Sequence, residues 1–312
     1  MNSIDSSVKV LVLGSKGMVG SSVSRILSQS KDFKIIESNR GDTDLFSLSE
    51  TKNLFNKVNP DIVVNAAAKV GGILANDTNR TEFILSNLKI NMNVIESLVS
   101  FKHTKLINLG SSCIYPLEAK VPISESSLMT GPLEPTNSPY AMAKLASIEM
   151  GDAISKEYGN KIVNLMPTNL YGPNDNFSDN ESHVIPGLIH RMHQAKTNNE
   201  EIFSVWGTGK PLREFLFVDD LAYAILFLIE NNVYEGLYNI GSNEEVSIKK
   251  LVNVIKDIVG YKGELIFDES KPDGNPRKLL DSSKINQLGW YPKTKLSEGL
   301  KISYDWYLKY CA

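Results

Sequence analysis

A doubly wound parallel α/β sheet is the fold predicted for this 312-residue chain, and three observations predict it. Short runs rich in Val, Ile and Leu alternate with longer segments of helical periodicity, the rhythm of a parallel sheet covered on both faces. The first run, Val8-Lys9-Val10-Leu11-Val12-Leu13, passes directly into Gly14-Ser15-Lys16-Gly17-Met18-Val19-Gly20 and a helical pattern reaching Leu27. Beyond Met166 the alternation gives way to a stretch rich in Pro, Asn, Gly and Asp, and the last third mixes short helices with short strands. The expected architecture is a Rossmann sheet with a smaller α/β substrate-binding lobe. Residues 1–168 with about 214–241 form the dinucleotide-binding domain, and about 169–213 with 242–312 the lobe.

The elements follow in order. After the Leu27 helix, Phe33-Lys34-Ile35-Ile36-Glu37 reads as a second strand, Ser49 to Asn56 as a helix and Asp61-Ile62-Val63-Val64-Asn65 as a third strand. A long helix over roughly Thr81–Ser100 precedes Leu106-Ile107-Asn108-Leu109-Gly110, a strand whose C-terminal end delivers Ser111. Pro139 suits the opening turn of the next helix, where its missing N–H is harmless. That helix runs to about Tyr158 and leads to the strand Lys161-Ile162-Val163-Asn164-Leu165-Met166.

The first strand–helix junction is built for a dinucleotide. Its glycines let the backbone approach a pyrophosphate, and the helix N–H groups face the anion. The spacing is GxxGxxG rather than GxGxxG. In NAD-binding chains an acidic residue about twenty positions on takes the ribose hydroxyls. Here the second strand ends in Ser38-Asn39-Arg40, with no carboxylate at the tip. Arg40 is placed to face a 2′-phosphate, and Lys16 adds a second positive charge, so NADP(H) is the expected cofactor.

Ser111, Tyr140 and Lys144 form the chemical centre. Tyr140 and Lys144 are four residues apart on one helical face, where side chains meet. A free phenol has a pKa of about 10, and an ammonium held close favours the phenolate and lowers that value. Ser111 leaves its strand at the end where open α/β sheets bind ligands. The trio is a proton-delivery device for reducing a ketone. Cys113 lies two residues beyond Ser111, where its thiol is either a pocket base or a small core hydrophobe. His183, with an ordinary pKa near 6.5, suits return of a proton or is simply a first-turn helix residue. Val184, Leu188 and Arg191 fall at i, i+4 and i+7 on a predicted helix, which fits a pocket wall or amphipathic core packing.

These residues resemble the extended short-chain dehydrogenase/reductase family over nearly the whole chain. Further pieces of the resemblance are Ala67-Ala68-Lys69-Val70-Gly71-Gly72-Ile73, Leu133-Glu134-Pro135-Thr136-Asn137, Met166 to Pro173, Arg213-Glu214-Phe215 and Pro276-Arg277-Lys278-Leu279-Leu280-Asp281. Two narrower ones, Ser111-Ser112-Cys113-Ile114-Tyr115-Pro116 and Ser182-His183-Val184-Ile185-Pro186, resemble the members acting on GDP-4-keto-6-deoxymannose. Asn174 stands where a His is expected, and Lys16 where Arg is frequent.

The resemblance implies NADPH-dependent reduction of the C4 ketone of a GDP-4-keto-6-deoxy sugar, preceded by C3/C5 epimerisation by Cys113 and His183. It implies cofactor contacts from Gly14, Lys16, Gly17, Met18, Val19, Gly20, Arg40, Ala67, Lys144, Asn169 and Leu170. Val184, Leu188, Arg191, Trp206, Arg213 and Lys278 would hold the GDP-sugar, Trp206 beside the guanine and Arg213 and Lys278 at the diphosphate. No metal is implied. It further implies a homodimer formed through the helices around 81–100 and 139–158, and a role in polysaccharide biosynthesis. A reductase-only enzyme on a related sugar, such as a 6-deoxy-heptose, uses the same residues and stays open. A non-catalytic cofactor-sensing scaffold could dispense with Ser111, Tyr140 or Lys144, and this chain keeps all three.

Composition narrows the partners. A net charge of −3 gives no polyanion-binding surface, so nucleic acid is not an expected partner. Met1 to Ser7 lacks the basic start and apolar core of a signal peptide, and the longest apolar run, Leu221 to Ile229, is too short to span a bilayer. With only Cys113 and Cys311, no disulfide framework is available. A cytoplasmic enzyme without membrane contact is expected.

Overall fold

The computed structural model describes residues 7–178, 181–271, 273 and 275–312. The opening segment weighed as a signal sequence lies, apart from Ser7, outside them. Strands β1 (Val8–Leu13), β2 (Phe33–Ser38), β3 (Ile62–Asn65), β4 (Lys105–Leu109), β5 (Lys161–Pro167), β6 (Asn169–Tyr171), β7 (Ile202–Trp206), β8 (Leu212–Phe217), β9 (Gly236–Ile240), β10 (Glu245–Ser247), β11 (Glu264–Asp268) and β12 (Arg277–Lys278) are interleaved with ten helices among the described residues. The helices are α1 (Met18–Leu27), α2 (Leu48–Val58), α3 (Ile73–Thr78), α4 (Arg80–Leu98), α5 (Ser138–Tyr158), α6 (Val184–Thr197), α7 (Val218–Glu230), α8 (Ile248–Val259), α9 (Ser283–Leu288) and α10 (Leu296–Tyr310).

The main sheet has the order β2-β1-β3-β4-β5-β9, with every pairing parallel. Both faces are covered, as the uninterrupted apolar runs predict. Along β1, Val10 and Val12 pack with Val23, Ile26 and Leu27 of α1 and with Leu221, Ile225 and Leu228 of α7. Leu11 and Leu13 point the other way, into Phe55 of α2 and Val94, Ile95 and Leu98 of α4. Each such side chain removed from water contributes about 1.5–3 kcal/mol. Strand order reverses between β1 and β3, which opens a crevice at their C-terminal ends.

Two details depart from the sequence reading. A one-and-a-half-turn helix, α3, intervenes before the long α4, in a stretch to which the sequence reading gave no element. The return to the main sheet begins with α7 at Val218, because all of β8 belongs to the second sheet. There β8 pairs antiparallel with β10 and parallel with β12 through its first half, and with β6 through its second. A separate aromatic-rich core, with Tyr171, Phe177, Phe203, Phe217, Tyr304 and Tyr307, packs beneath this sheet.

A polar row crosses the main sheet. Asn65, Asn108 and Asn164 stand in register on β3, β4 and β5, each at most 1% exposed. Asn108 Nδ2 donates to Asn164 Oδ1 at 2.9 Å and to Ser147 Oγ of α5 at 3.2 Å, while Asn65 Nδ2 donates to Asn91 Oδ1 of α4 at 3.2 Å. Directional bonds therefore register α4 and α5 on the sheet where apolar contact alone is permissive.

Candidate active site

The turn after β1 is shaped by three glycines with different jobs. Gly14 has φ +75°, and a Cβ there would sit 2.9 Å from the Ala66 carbonyl and the Ala67 backbone. A Cβ on Gly20 would stand 2.2 Å from the Gly14 carbonyl oxygen. Packing within the protein therefore excludes side chains at both. Gly17 differs: a Cβ would meet only the Gly14 carbonyl, at 3.4 Å, so its bareness faces the crevice. Gly17 is also the N-cap of α1, with no side-chain cap and no acidic residue in the first turn. The buried hydroxyl of Ser15 has no partner among the described residues. An uncapped helix N-terminus, a bare backbone and an unpaired hydroxyl fit a pyrophosphate.

At the end of β2 the backbone N–H groups of Gly14 and Ser15 both donate to the Ser38 carbonyl, which places the strand tip beside the glycine turn. Arg40 and Lys16 are exposed there. Asp42, two residues after Arg40, accepts the Asn39 N–H at 2.9 Å. A 2′-phosphate fits this corner. Met18 and Val19 open α1, and Ala67, two residues beyond β3, has its backbone against Gly14.

The Ser111 hydroxyl has a defined polarity. Its oxygen accepts the Cys113 N–H at 3.2 Å and thereby caps the short turn Ser112–Ile114, while the side chain hydrogen-bonds Tyr140. Lys144 is 2% exposed, and its Nζ donates to the Leu109 carbonyl at 2.7 Å. Burial lowers its pKa to about 8. The expectation that Lys144 would pull the Tyr140 pKa down does not hold. Nζ lies 5.9 Å from the ring centroid, and the phenol is pushed well above its ordinary value. Burial is the main cause, the Cys113 charge adds to it, and the Ser111 hydrogen bond only opposes it. Tyr140 thus holds its proton firmly through neutrality.

Cys113 joins this centre rather than the core. Its Sγ is 3.6 Å from Asn137 Nδ2 and 3.9 Å from Lys278 Nζ, so a donor and a cation face the sulfur. Lys278, which the resemblance puts at the diphosphate, has its Nζ beside the thiol. Asn137 had no role assigned from the sequence, although its motif was noted. Phe83, whose ring meets Tyr140 edge-on at 6.4 Å, left no sequence signal at all.

A family model described as the NAD dependent epimerase/dehydratase family matches residues 10–241. The chain belongs to this family. Among its relatives, a putative GDP-L-fucose synthase 2 of Arabidopsis thaliana is 49% identical, covering 98% of this chain and 93% of that protein. GDP-L-fucose synthase of Escherichia coli K12 is 44% identical over 96% of this chain and 97% of its own. Among solved structures, a GDP-L-fucose synthetase from Naegleria fowleri bound to NADP superposes with TM-score 0.88 at 30% identity, over 97% of this chain and 94% of that one. A GDP-D-glycero-L-gluco-heptose synthase from Campylobacter jejuni, in the presence of NADPH, does so with TM-score 0.89 at 30% identity, over 98% and 100%.

In this member of the epimerase/dehydratase family the remaining assigned residues are spread unevenly. His183 is the N-cap of α6 and exposed, and desolvation lowers its pKa. Val184 is exposed beside it, whereas Leu188 is buried in the second core and lines no open wall. Arg191 lies over the Phe203 ring, 5.2 Å from its centroid. Trp206 is 67% exposed at the end of β7, with Lys271 Nζ 5.9 Å from its ring centroid. Half-buried Arg213 donates to the Leu212 carbonyl at 2.9 Å. Asn169 spends its amide on the Glu214 carbonyl at 2.9 Å, and Leu170 packs against the first core, so neither side chain is free to swing.

Two outcomes are expected. Gly17→Val should weaken NADPH binding at least about tenfold, read by fluorescence titration, while its fold loses no more than the cost of a poorer helix N-cap. Lys144 is charged below its lowered pKa and neutral above it, so kcat/KM should decline above pH about 8. In Lys144→Arg that alkaline limb should move upward, because a guanidinium keeps its charge.

Proposed function

We propose that this chain works as a GDP-L-fucose synthase, an NADPH-dependent enzyme that epimerises GDP-4-keto-6-deoxymannose at C3 and C5 and then reduces its C4 ketone. The observation that carries the reading is the thiol of Cys113 beside the Ser111–Tyr140 pair, an epimerase group and a reductase group in one cleft. Identities of 44% and 49% to named GDP-L-fucose synthases over nearly the whole chain favour the hexose over the heptose substrates of neighbours at 30%.

A C4 ketone acidifies the C–H bonds at C3 and C5. Cys113, as the thiolate that Lys278 and Asn137 face, removes a proton from one face and becomes the neutral thiol. His183 returns a proton from the other. Ser111 and Tyr140 donate to O4 while negative charge resides there, and donors preset in this way are worth about 3 kcal/mol each. When bound, NADPH supplies the hydride that reduces C4. Tyr140, which burial keeps protonated, gives its proton to O4, and Lys144 stays charged against the ribose. Once C4 is an alcohol, the neighbouring C–H bonds lose their acidity, so epimerisation precedes reduction.

The main sheet with α7 serves as the cofactor domain, and the second sheet with α6, α8 and α10 as the sugar lobe. Leu85, Met92 and Met142, each about half-exposed on α4 and α5, suit a homodimer face. Among the described residues no helix is long and apolar enough to cross a membrane. A cytoplasmic enzyme making an activated deoxy sugar for polysaccharide biosynthesis is the setting we infer.

Two variants check the assignment with GDP-4-keto-6-deoxymannose as substrate. Tyr140→Phe should slow NADPH oxidation about 10²–10⁴-fold, the usual contribution of a positioned acid, with NADPH affinity retained. Cys113→Ser should keep NADPH oxidation and lose inversion in the product. Turnover confined to the heptose analogue would contradict the reading.

A further inference from the structure

Two motifs far apart in sequence meet backbone to backbone beside the site. The Gly72 N–H donates to the Glu181 carbonyl at 2.9 Å. A Cβ on Gly72 would stand 2.6 Å from the Ser182 carbonyl oxygen, so only glycine admits that backbone. From the opposite side, a Cβ on Gly187 in the first turn of α6 would stand 2.6 Å from Ser182 Oγ. Ser182 is held between two glycines, and His183 follows it directly. The His183 side chain makes no capping hydrogen bond to α6, so its backbone must place the ring.

The gripping turn is itself braced. Asn76, 6% exposed, donates from Nδ2 to the Gly71 carbonyl at 2.7 Å and to the Gly72 carbonyl at 3.0 Å. Asn87 holds the entry to the turn, accepting the Lys69 N–H at 3.1 Å and donating to the Lys69 carbonyl at 3.0 Å. A Cβ on Gly71 would touch Phe83 Cζ at 3.1 Å, and the Phe83 ring meets Tyr140. Phe83 thus stands between Tyr140 and the bare face of Gly71, one residue before the Gly72 that bonds the segment leading into His183.

We propose that Gly72, locked by Asn76, is the positioning element for His183, and that it sets the stereochemistry of the product. The proposal rests on the epimerase reading of His183. Proton return competes with reduction of the same ketone. Displacing the imidazole slows only the first, and a misplacement of about 1 Å is enough to cost on the order of 10²-fold. The sugar is then reduced before inversion is complete.

The test follows product composition by NMR after turnover of GDP-4-keto-6-deoxymannose with NADPH in D2O, alongside NADPH affinity and melting temperature. The set is wild type, Gly72→Ala, Asn76→Ala and His183→Gln. Asn76→Ala removes two hydrogen bonds without a clash, so it stands in if Gly72→Ala misfolds. The expected result is a tenfold or greater rise in reduced, incompletely inverted sugar for Gly72→Ala and Asn76→Ala, with NADPH affinity unchanged. Fully inverted product from both, with His183→Gln defective, would overturn the positioning role and leave that of His183 intact. Fully inverted product from His183→Gln would overturn the role of His183 and the proposal with it. Loss of cofactor binding in both turn variants would mark the turn as a general structural support and also overturn the proposal.

Discussion

The buried ammonium of Lys144, seated on the Leu109 carbonyl at 2.7 Å, ties the helix that carries Tyr140 to the strand end that carries Ser111. A cation taken out of water demands a partner, and a single carbonyl satisfies it only in part. That incomplete compensation is what lowers its pKa toward 8. It also fixes α5 axially, helped by the Ser147 bond to the asparagine row one turn further on. From that anchor the rest follows. Ser111 lies two residues past Leu109 and reaches Tyr140, and its hydroxyl oxygen, by accepting the Cys113 N–H, fixes the backbone that carries the thiol.

The second sheet completes the cleft through a buried carboxylate. Glu214, fully buried on β8, accepts the Asn243 N–H at 2.9 Å through Oε1 and the Leu280 N–H at 3.1 Å through Oε2. Burial raises its pKa, and those backbone donors hold it down. Its grip on Leu280 fixes the segment that brings Lys278 to the Cys113 sulfur. One carboxylate therefore links the second sheet to the Cys113 sulfur. The glycines differ as well: packing within the protein imposes Gly14 and Gly20, whereas it leaves room for a Cβ at Gly17.

Much of this was legible in the chain. Apolar runs in β1, β3 and β4 announced a sheet buried on both faces, and the i, i+4 spacing of Tyr140 and Lys144 placed them on one helical turn. What escaped depended on register or on contacts distant in sequence. Asn65, Asn108 and Asn164 are single polar residues in three separate strands, and only parallel pairing aligns them into a row. Lys278 is 165 positions from Cys113, and no local pattern brings the two together. The Tyr140 pKa was read from its charged neighbour, but burial outweighs that neighbour. Leu188 fitted a pocket wall by periodicity and proved to be core, because a 3.6-residue period marks a face without saying what it meets.

Epimerisation and reduction in one cleft, in that order, is the claim on which the account stands. It is tested most directly by incubating GDP-4-keto-6-deoxymannose with the protein and NADP+ in D2O, with no reductant, and examining the recovered ketone by NMR. The account predicts deuterium at both C3 and C5. A ketone recovered without deuterium, from protein that reduces it once NADPH is added, would contradict the account and leave a reductase alone.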